Sequence, residues 1–328
     1  MEPTMENAEL MTNSSRSFDN VDSLIKSEDG YVYLGKLEFL IKLIDIKEYL
    51  KFCEANSHLN YFCQVLNDLT SKINSLETPN SKEVNQKLFK PLFSILIIIN
   101  YLLPESANLR SILTEKNGLR SLLYILSQVD SIQDDNESKS KFISFLISDI
   151  NWVSRSADIY KNVWFDLKAV DIIYNYLKTY DNKYPALMAL SNIASDKQIE
   201  SISEFDMAID IFTKMAIKCA NNPDYLVDLE YLDDHDNSIY YTKVKAYYNP
   251  KNRITITITG ILLLLYKISI NEKRKIEIFK KPGLMDSLYK LIYEGNDFEK
   301  QNSLELVTQL CFDSTIFEEI RKNTQLFE

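Results

Sequence analysis

The chain has 328 residues, of which 45% are hydrophobic, and its formal net charge is −10 at pH 7. This negative balance argues against non-specific binding to nucleic acid or to an anionic membrane, and it leaves a basic peptide or protein partner open. Only 6 glycines and 8 prolines occur. Such a low content of turn-forming residues favours long helices over a β-sandwich or a barrel.

The N-terminus and the cysteines indicate the cellular compartment of the protein. The first residues are polar and acidic and contain no secretory signal, and residues 1–28 are expected to form a mobile polar segment. No CxxC spacing occurs among the four cysteines, which are Cys53, Cys63, Cys219 and Cys311. Reduced structural cysteines are therefore favoured over a metal site. We predict a cytoplasmic protein.

Residues 29–328 are predicted to form a helical array. Amphipathic patterns over 31–52 and 59–73 predict the first helices. The nearly continuous apolar run 89–103, which Pro104 ends, predicts a helix that is buried on most sides. It is too short to cross a bilayer, so it suits the inner helix of a stacked repeat. Further inner helices are predicted at 142–153, 185–194, 254–270 and 303–312.

The rhythm breaks at residues 221–252, where acidic residues alternate with tyrosines. We interpret this segment as an insertion between two helices of one repeat, solvated or partly helical, that the fold does not require. A kinase substrate and a self-docking ligand remain alternatives for it. After the insertion, the residues from Ile254 to Thr259 alternate with a period of two and could form a strand. Because Ile254, Ile258 and Ile261 step by four and three, one helix over 254–270 is favoured.

A pattern recurs along the chain: a short helix, a glycine or its equivalent, a second helix, a polar loop and an inner third helix that ends Leu-x-Asn-Leu-Ala. Three stretches each match a part of this pattern. They are Leu190-Ser191-Asn192-Ile193-Ala194, the run from Gly118 to Leu126, and the run from Pro282 to Leu291. Gly118 is expected to supply a left-handed backbone position. The pattern resembles the armadillo repeat over residues 81–322, at a spacing of about forty residues. The resemblance implies an all-α, right-handed superhelical solenoid of armadillo-like helical repeats.

The same resemblance implies a non-catalytic protein–protein interaction scaffold. In armadillo proteins the third helices line a concave groove, where an asparagine bonds the main chain of an extended peptide. An amide side chain suits this role because it carries both donors and an acceptor. Laying the repeats over each other gives the peptide-binding candidates Asn100, Asn151, Asn192, Lys267 and Gln309. Alternatively, these side chains only cap or hydrogen-bond neighbouring loops.

The groove departs from two known types. Importin-alpha-type grooves carry a tryptophan four residues before the asparagine, whereas the corresponding positions here hold Leu96, Ile147, Met188 and Leu263. Grooves of the beta-catenin type are lined by lysine and arginine, and this acidic chain shows no obvious array of that kind. These differences argue against a nuclear-import receptor, and they do not identify the partner.

The sequence is poor in catalytic and metal-binding patterns. The only histidines are His58 and His235, and Asp233, His235 and Asp236 together could hold a cation. That loop lacks the glycine and the terminal glutamate of a calcium-binding loop. The sequence offers no phosphate-binding glycine loop, no HExxH motif and no Ser-His-Asp set. We predict a protein that is not an enzyme and that needs no cofactor or metal.

The predicted partner is a protein or an extended peptide. We predict no binding to nucleic acid and none to a membrane. An alternative function is the regulatory armadillo array of a larger protein whose effector domain, for example a TIR-type NAD-cleaving domain, lies outside this chain. Residues 316–320 match the first helix of another, incomplete repeat. Solenoids need terminal repeats with a polar outer face. We therefore expect a fragment of a longer protein, or end-to-end self-association through the uncapped C-terminal repeat.

Overall fold

The computed structural model describes residues 28–55, 57–75, 82–129, 136–179, 183–221, 226–232, 239–249 and 254–322. The segment predicted to be mobile, residues 1–28, lies almost entirely outside these ranges. Within them are seventeen helices and three strands. The chain divides into two compact units, residues 1–193 and residues 194–328.

The first unit consists of helices. In chain order they are α1 (Glu28–Ile41), α2 (Ile46–Ala55), α3 (His58–Asn74), α4 (Lys82–Leu102), α5 (Ala107–Glu115), α6 (Gly118–Gln128), α7 (Asn136–Ser154), α8 (Lys161–Asp166), α9 (Ala169–Thr179) and α10 (Tyr184–Ile193). They form three repeats of a short first helix, a second helix and a third helix: α2–α4, α5–α7 and α8–α10.

Like helices of the first unit pack in rows. The second helices α3, α6 and α9 contact one another in sequence, and so do the third helices α4, α7 and α10. Helix α1 packs against α4 and so occupies a third-helix position ahead of the first complete repeat. Apolar side chains hold the row together, as in the contact of the Phe89 and Phe142 rings, whose centroids lie 4.9 Å apart. The predicted apolar helix at 89–103 is confirmed as the buried part of α4.

The turn between the first and second helices repeats as well. The residue just before the second helix has a positive φ in three turns of the first unit, at Ser57, Asn117 and Lys168. The prediction that Gly118 is the left-handed residue is therefore wrong by one position. Gly118 begins α6, and a Cβ atom there would lie 2.6 Å from the Leu113 side chain. The glycine thus allows α5 and α6 to approach closely.

The second unit contains two further repeats and one more first helix. Its elements are α11 (Asp196–Ser201), α12 (Glu204–Asn221), β1 (Leu226–Leu232), β2 (Ile239–Asn249), β3 (Ile254–Thr257), α13 (Ile258–Ser269), α14 (Glu272–Phe279), α15 (Leu284–Glu294), α16 (Asp297–Leu310) and α17 (Ser314–Arg321). The second helices α12 and α15 pack together, as do the third helices α13 and α16.

The insertion forms strands, in contrast to the solvated or partly helical segment that was predicted. Strands β1, β2 and β3 make an antiparallel sheet in that order, with Val227 opposite Val244 and Ala246 opposite Thr257. The sheet contributes to the core because Val244 and Ala246 are buried, and β2 contacts α12 and α13. The insertion is therefore part of the packed structure where it is described.

The helix predicted over 254–270 begins later, at Ile258. Its first residues pair with β2 as the strand β3, which is the period-two alternative that the helical spacing had outweighed. Thr257 marks the change, because its side chain accepts a hydrogen bond from the Gly260 amide and caps α13. Both periodicities in this stretch are thus used, one on each side of Thr257.

The sheet is tied to α16 by a buried carboxylate. Glu299 accepts hydrogen bonds from the backbone amide and the ammonium group of Lys245, each at 2.8 Å. The Asn296 side chain donates to the carbonyl of Lys243 at 2.6 Å. Because Asn296 and Glu299 also form the capping box of α16, the N-terminus of this helix and strand β2 share one hydrogen-bonded network.

Two properties of the described residues bear on the predictions from composition. The four cysteines are unpaired thiols, three of them buried, and burial raises the pKa of Cys63 to about 11. None of the described helices combines the length and the hydrophobicity required to cross a membrane.

Candidate functional site

The five predicted peptide-binding residues occupy equivalent places. Each lies in the last turn of a third helix, on α4, α7, α10, α13 or α16 in turn. This equivalence follows from the repeat, because helices in the same structural position present their last turns in register. Whether the five side chains contact a peptide remains a prediction.

Asn100 is engaged by the neighbouring repeat. Its amide nitrogen on α4 donates to Oδ1 of Asp149 on α7 at 2.8 Å. Asp149 is fully buried, and its Oδ2 atom has no hydrogen-bond partner among the described residues. Burial raises the pKa of the Asp149 carboxyl well above its ordinary value, while the bond from Asn100 acts in the opposite direction. The Asn100 amide therefore serves a structural need inside the first unit.

Asn192 makes a similar contact from the other side of α7. Its amide nitrogen on α10 donates to the Ser154 hydroxyl at 2.9 Å. The Ser154 hydroxyl in turn donates to the backbone carbonyl of Asn151 at 2.6 Å. The side-chain oxygen of Asn151 is buried without a hydrogen-bond partner among the described residues.

The three asparagines thus belong to one polar seam, which runs along the third helices α4, α7 and α10 of the first unit. Asp149 bonds Asn100, and Ser154 bonds both Asn192 and the backbone carbonyl of Asn151. Neither Asp149 nor Ser154 could be singled out from the sequence. Each looks like an ordinary polar position of an amphipathic helix, and only the packing of adjacent third helices buries it. The amides of Asn100 and Asn192 thus donate to side chains of the adjacent third helix α7, and not to neighbouring loops.

The second unit presents an open groove, which we call the third-helix groove. It has a volume of about 620 Å³ and is lined by Tyr266 of α13 and by residues of α16 and the turn that follows. Its apolar wall includes Leu304 and Phe312, whose exposed fractions are 47% and 74%. Polar residues on the same helix, among them Lys300 and Glu305, complete the lining. Exposed apolar side chains between polar groups are typical of surfaces that bind other molecules.

Two predicted site residues lie on these helices. Gln309 lines the groove, and its amide nitrogen is 3.4 Å from the Ser269 carbonyl oxygen, a long and weak hydrogen bond. Lys267 lies on α13, directly after the groove residue Tyr266. Four residues before Lys267, Leu263 is 44% exposed, whereas Leu96 and Ile147 are buried in the first unit. Of the positions that carry tryptophan in importin-alpha-type grooves, the one at Leu263 is therefore exposed, and those at Leu96 and Ile147 are buried.

A metal site is not evident in the part of the chain that the structure describes, where no three His, Cys, Asp or Glu side chains form a group able to hold an ion. The cation-binding alternative at Asp233, His235 and Asp236 lies outside the described residues. His58 sits in an aromatic cluster with Phe52 and Phe62, at centroid distances of 5.1 Å and 6.1 Å. Burial lowers the pKa of His58 to about 4, so it is neutral at physiological pH.

Neither the protein-family models nor the curated proteins include a match to this sequence. A solved structure from work on a phosphorylation switch that controls the interaction between cadherin and beta-catenin superposes with a TM-score of 0.50. It is 12% identical, and the match covers 88% of this chain and 44% of that one. A designed armadillo repeat protein is also similar, with a TM-score of 0.47, 14% identity, and coverage of 89% and 98%.

The three-helix order and the likeness to the cadherin and beta-catenin structure together define the fold class. The chain has an all-α armadillo-like repeat fold, as its sequence predicted, with a three-stranded sheet inserted between the second and third helices of one repeat. At 12% identity the likeness concerns the fold alone.

Proposed function

We propose that this chain is a non-catalytic scaffold that binds a protein or an extended peptide along its third helices. The observation that carries the proposal is the third-helix groove of the second unit, where Leu304 and Phe312 are exposed beside Gln309. Apolar side chains would anchor a ligand by burial, and Gln309 would bond its main chain. The cadherin and beta-catenin structure supports protein binding as a use of this fold.

The groove of the second unit is proposed as the principal contact. In the first unit, the amides of Asn100 and Asn192 donate to Asp149 and Ser154, so they have internal roles already. Among the described residues, the Gln309 side chain is seen to make the long contact to Ser269 alone. Rearranging Gln309 toward a ligand therefore costs less than rearranging the asparagines.

Selection from a displayed library of random 15-residue peptides tests this proposal with a defined probe. We expect peptides that bind the intact chain to share apolar anchors and to bind at least about tenfold more weakly to the Leu304→Glu variant, because the new carboxylate would be desolvated against an apolar side chain. The matched control is Tyr293→Glu. Tyr293 is 55% exposed and lies on the second helix α15, away from the groove lining.

Peptides that bind the Leu304→Glu chain as tightly as the unaltered chain would show that the groove is not the site. Equal losses in both variants would contradict the proposal too, since they would point to a general effect of surface charge. A photo-crosslinking residue at Phe312, compared with one at Tyr293, locates the bound peptide independently.

A further inference from the structure

Helix α1 carries an apolar stripe on the side that faces solvent, which we call the outer stripe. Val32, Phe39 and Leu43 are exposed by 60%, 52% and 43%, and Lys36 lies among them. Spacings of four, seven and eleven residues from Val32 place all four on one side of the helix and of the turn that follows it. The opposite side of α1 is the one buried in the first unit, through Leu34, Leu37, Leu40 and Ile41. Helix α1 is thus apolar on two sides, and only one of them is covered by the described chain.

A second apolar surface lies in the other unit. Helices α14, α15 and α17 enclose a groove of about 650 Å³, which we call the α17 groove. Its apolar lining includes Ile276, Phe279, Met285 and Ile316. Ile276 is 38% exposed, while Asp286 and Glu319 are exposed carboxylates that also line the groove. Lys280 and Lys281 also line the groove, and the Lys281 ammonium group is bonded to Asp210. Together with Asp313 the lining holds three carboxylates, so its charge balance is negative beside the apolar side chains.

The preceding repeat indicates what shape covers such a surface. There the second helix α12 is covered by α15, an amphipathic helix whose Leu284, Leu288 and Leu291 are buried. These leucines have the spacing of one helical face. Beside that apolar face, Ser287 and Lys290 contact Asn221 of α12. In the following repeat, α15 is the second helix, as α12 is in the repeat before it. The α17 groove lies beside α15, where the second helix of a further repeat would pack. An amphipathic helix with apolar residues on one face is therefore the shape that fits.

We propose that the α17 groove binds helix α1 of a second copy of this chain. The outer stripe supplies a helix with three exposed apolar side chains, and Lys36 among them complements Asp286 and Glu319 at the groove. The two surfaces differ, so the contact is head-to-tail, and it leaves a free stripe and a free groove on each pair. Copies therefore add one after another into larger oligomers. This contact uses neither the third-helix groove nor the polar seam.

Sedimentation velocity on the full chain at increasing concentration tests the contact. The contact is confined to one helix face and one groove, which is small for a protein interface, so we expect association in the micromolar range. The variants Phe39→Glu and Ile276→Glu should each weaken association at least about tenfold, because each places a carboxylate in the apolar contact. Both altered side chains are solvent-exposed, and circular dichroism checks that the variants remain folded.

Mixing the two variants separates this contact from other kinds of association. The Phe39→Glu chain keeps its groove and the Ile276→Glu chain keeps its stripe, so a mixture should form one-to-one dimers that do not grow further. The control Phe165→Glu alters a side chain that is 83% exposed and belongs to neither surface, and it should associate like the unaltered chain. A chain that stays monomeric, as it would if another protein filled the groove, overturns the proposal. So does a mixture of the two variants that stays monomeric, or a single variant that associates normally.

Discussion

At the scale of single residues, His58 should make stability depend on pH. It is fully buried, and its pKa of about 4 in the folded protein lies below the ordinary value of 6.5. The neutral ring therefore stabilises the fold at pH values above 6.5, and this contribution is lost as the pH falls from 6.5 toward 4. Between pH 7.5 and pH 5 we expect His58 to reduce the free energy of unfolding by about 2 kcal/mol.

Urea unfolding at the two pH values, for the unaltered chain and for His58→Phe, measures this contribution. Phenylalanine suits the aromatic surroundings and does not titrate, so the variant should lose that part of the pH dependence. An identical change in unfolding free energy for both proteins would show that His58 is protonated in the fold without cost.

Asn100 and Gln309 should differ in what they contribute to stability, although they occupy equivalent positions. Asn100→Ala removes the donor to the buried carboxylate of Asp149, and we expect a cost of about 1–3 kcal/mol. Gln309→Ala removes only a 3.4 Å contact, so its effect should be below about 0.5 kcal/mol. Thermal unfolding of both variants measures the difference. If the Asn100 variant were as stable as the Gln309 variant, the polar seam would have no structural role.

At the scale of elements, Glu299 should determine whether the inserted sheet stays docked. It is buried, and Lys245 donates to it through both its amide and its ammonium group. Glu299→Ala leaves that pair incomplete, and we expect a loss at the lower end of about 3–5 kcal/mol because the Lys245 side chain is still 18% exposed. Hydrogen exchange should become faster in β2 and remain slow in α12.

The matched control for this experiment is Glu305→Ala, an exposed glutamate on the same helix that accepts a hydrogen bond from Gln301. Exchange in β2 should be unchanged in that variant. Unaltered exchange in the Glu299 variant would mean that the burial of Val244 and Ala246 suffices to dock the sheet.

Elements with one continuous pattern could be predicted from the sequence, and elements with two competing patterns could not. The apolar run in α4 has one interpretation, because only a buried helix accommodates so many aliphatic residues at this length. The stretch from Ile254 fits both periods, and pairing with β2 decides that it begins as a strand. Asp149 and Ser154 could not be singled out for a different reason, since the asparagine side chains that bond them lie on other helices. The positions of the predicted peptide-binding residues could be derived from the repeat in the sequence. Their hydrogen bonds could not, because these depend on how the helices pack.

At the scale of the whole molecule, an array of repeats holds together mainly through contacts between neighbours. Stability in such an array is approximately the sum of the contributions of the repeats and of the interfaces between them. The division into residues 1–193 and 194–328 marks the position where we expect the chain to be separable. That position matters because a cut inside a repeat removes partners of buried polar groups.

Arg274 is the buried group that makes the position of the cut testable. Its side chain is 1% exposed, and its guanidinium donates to the backbone carbonyls of Ile199, Glu200 and Ile202 at 3.2–3.4 Å. Two of these carbonyls belong to α11 and the third follows it directly. A fragment that begins at residue 194 keeps all three, and one that begins at residue 204 keeps none.

We predict that the fragment 194–328 folds alone and unfolds cooperatively in urea, while the fragment 204–328 does not. The shorter fragment leaves the guanidinium with Asp206 and Glu277 but without its three carbonyl partners, and it also uncovers the surface that α11 protects. An unsatisfied buried group costs about 1–3 kcal/mol, and more when it is charged, which is a large part of the stability of a small domain. Circular dichroism during urea unfolding compares the two fragments, and Arg274→Met in the longer one separates the charge from the lost helix. Equal cooperativity in both fragments would mean that α11 is not an integral part of the second unit.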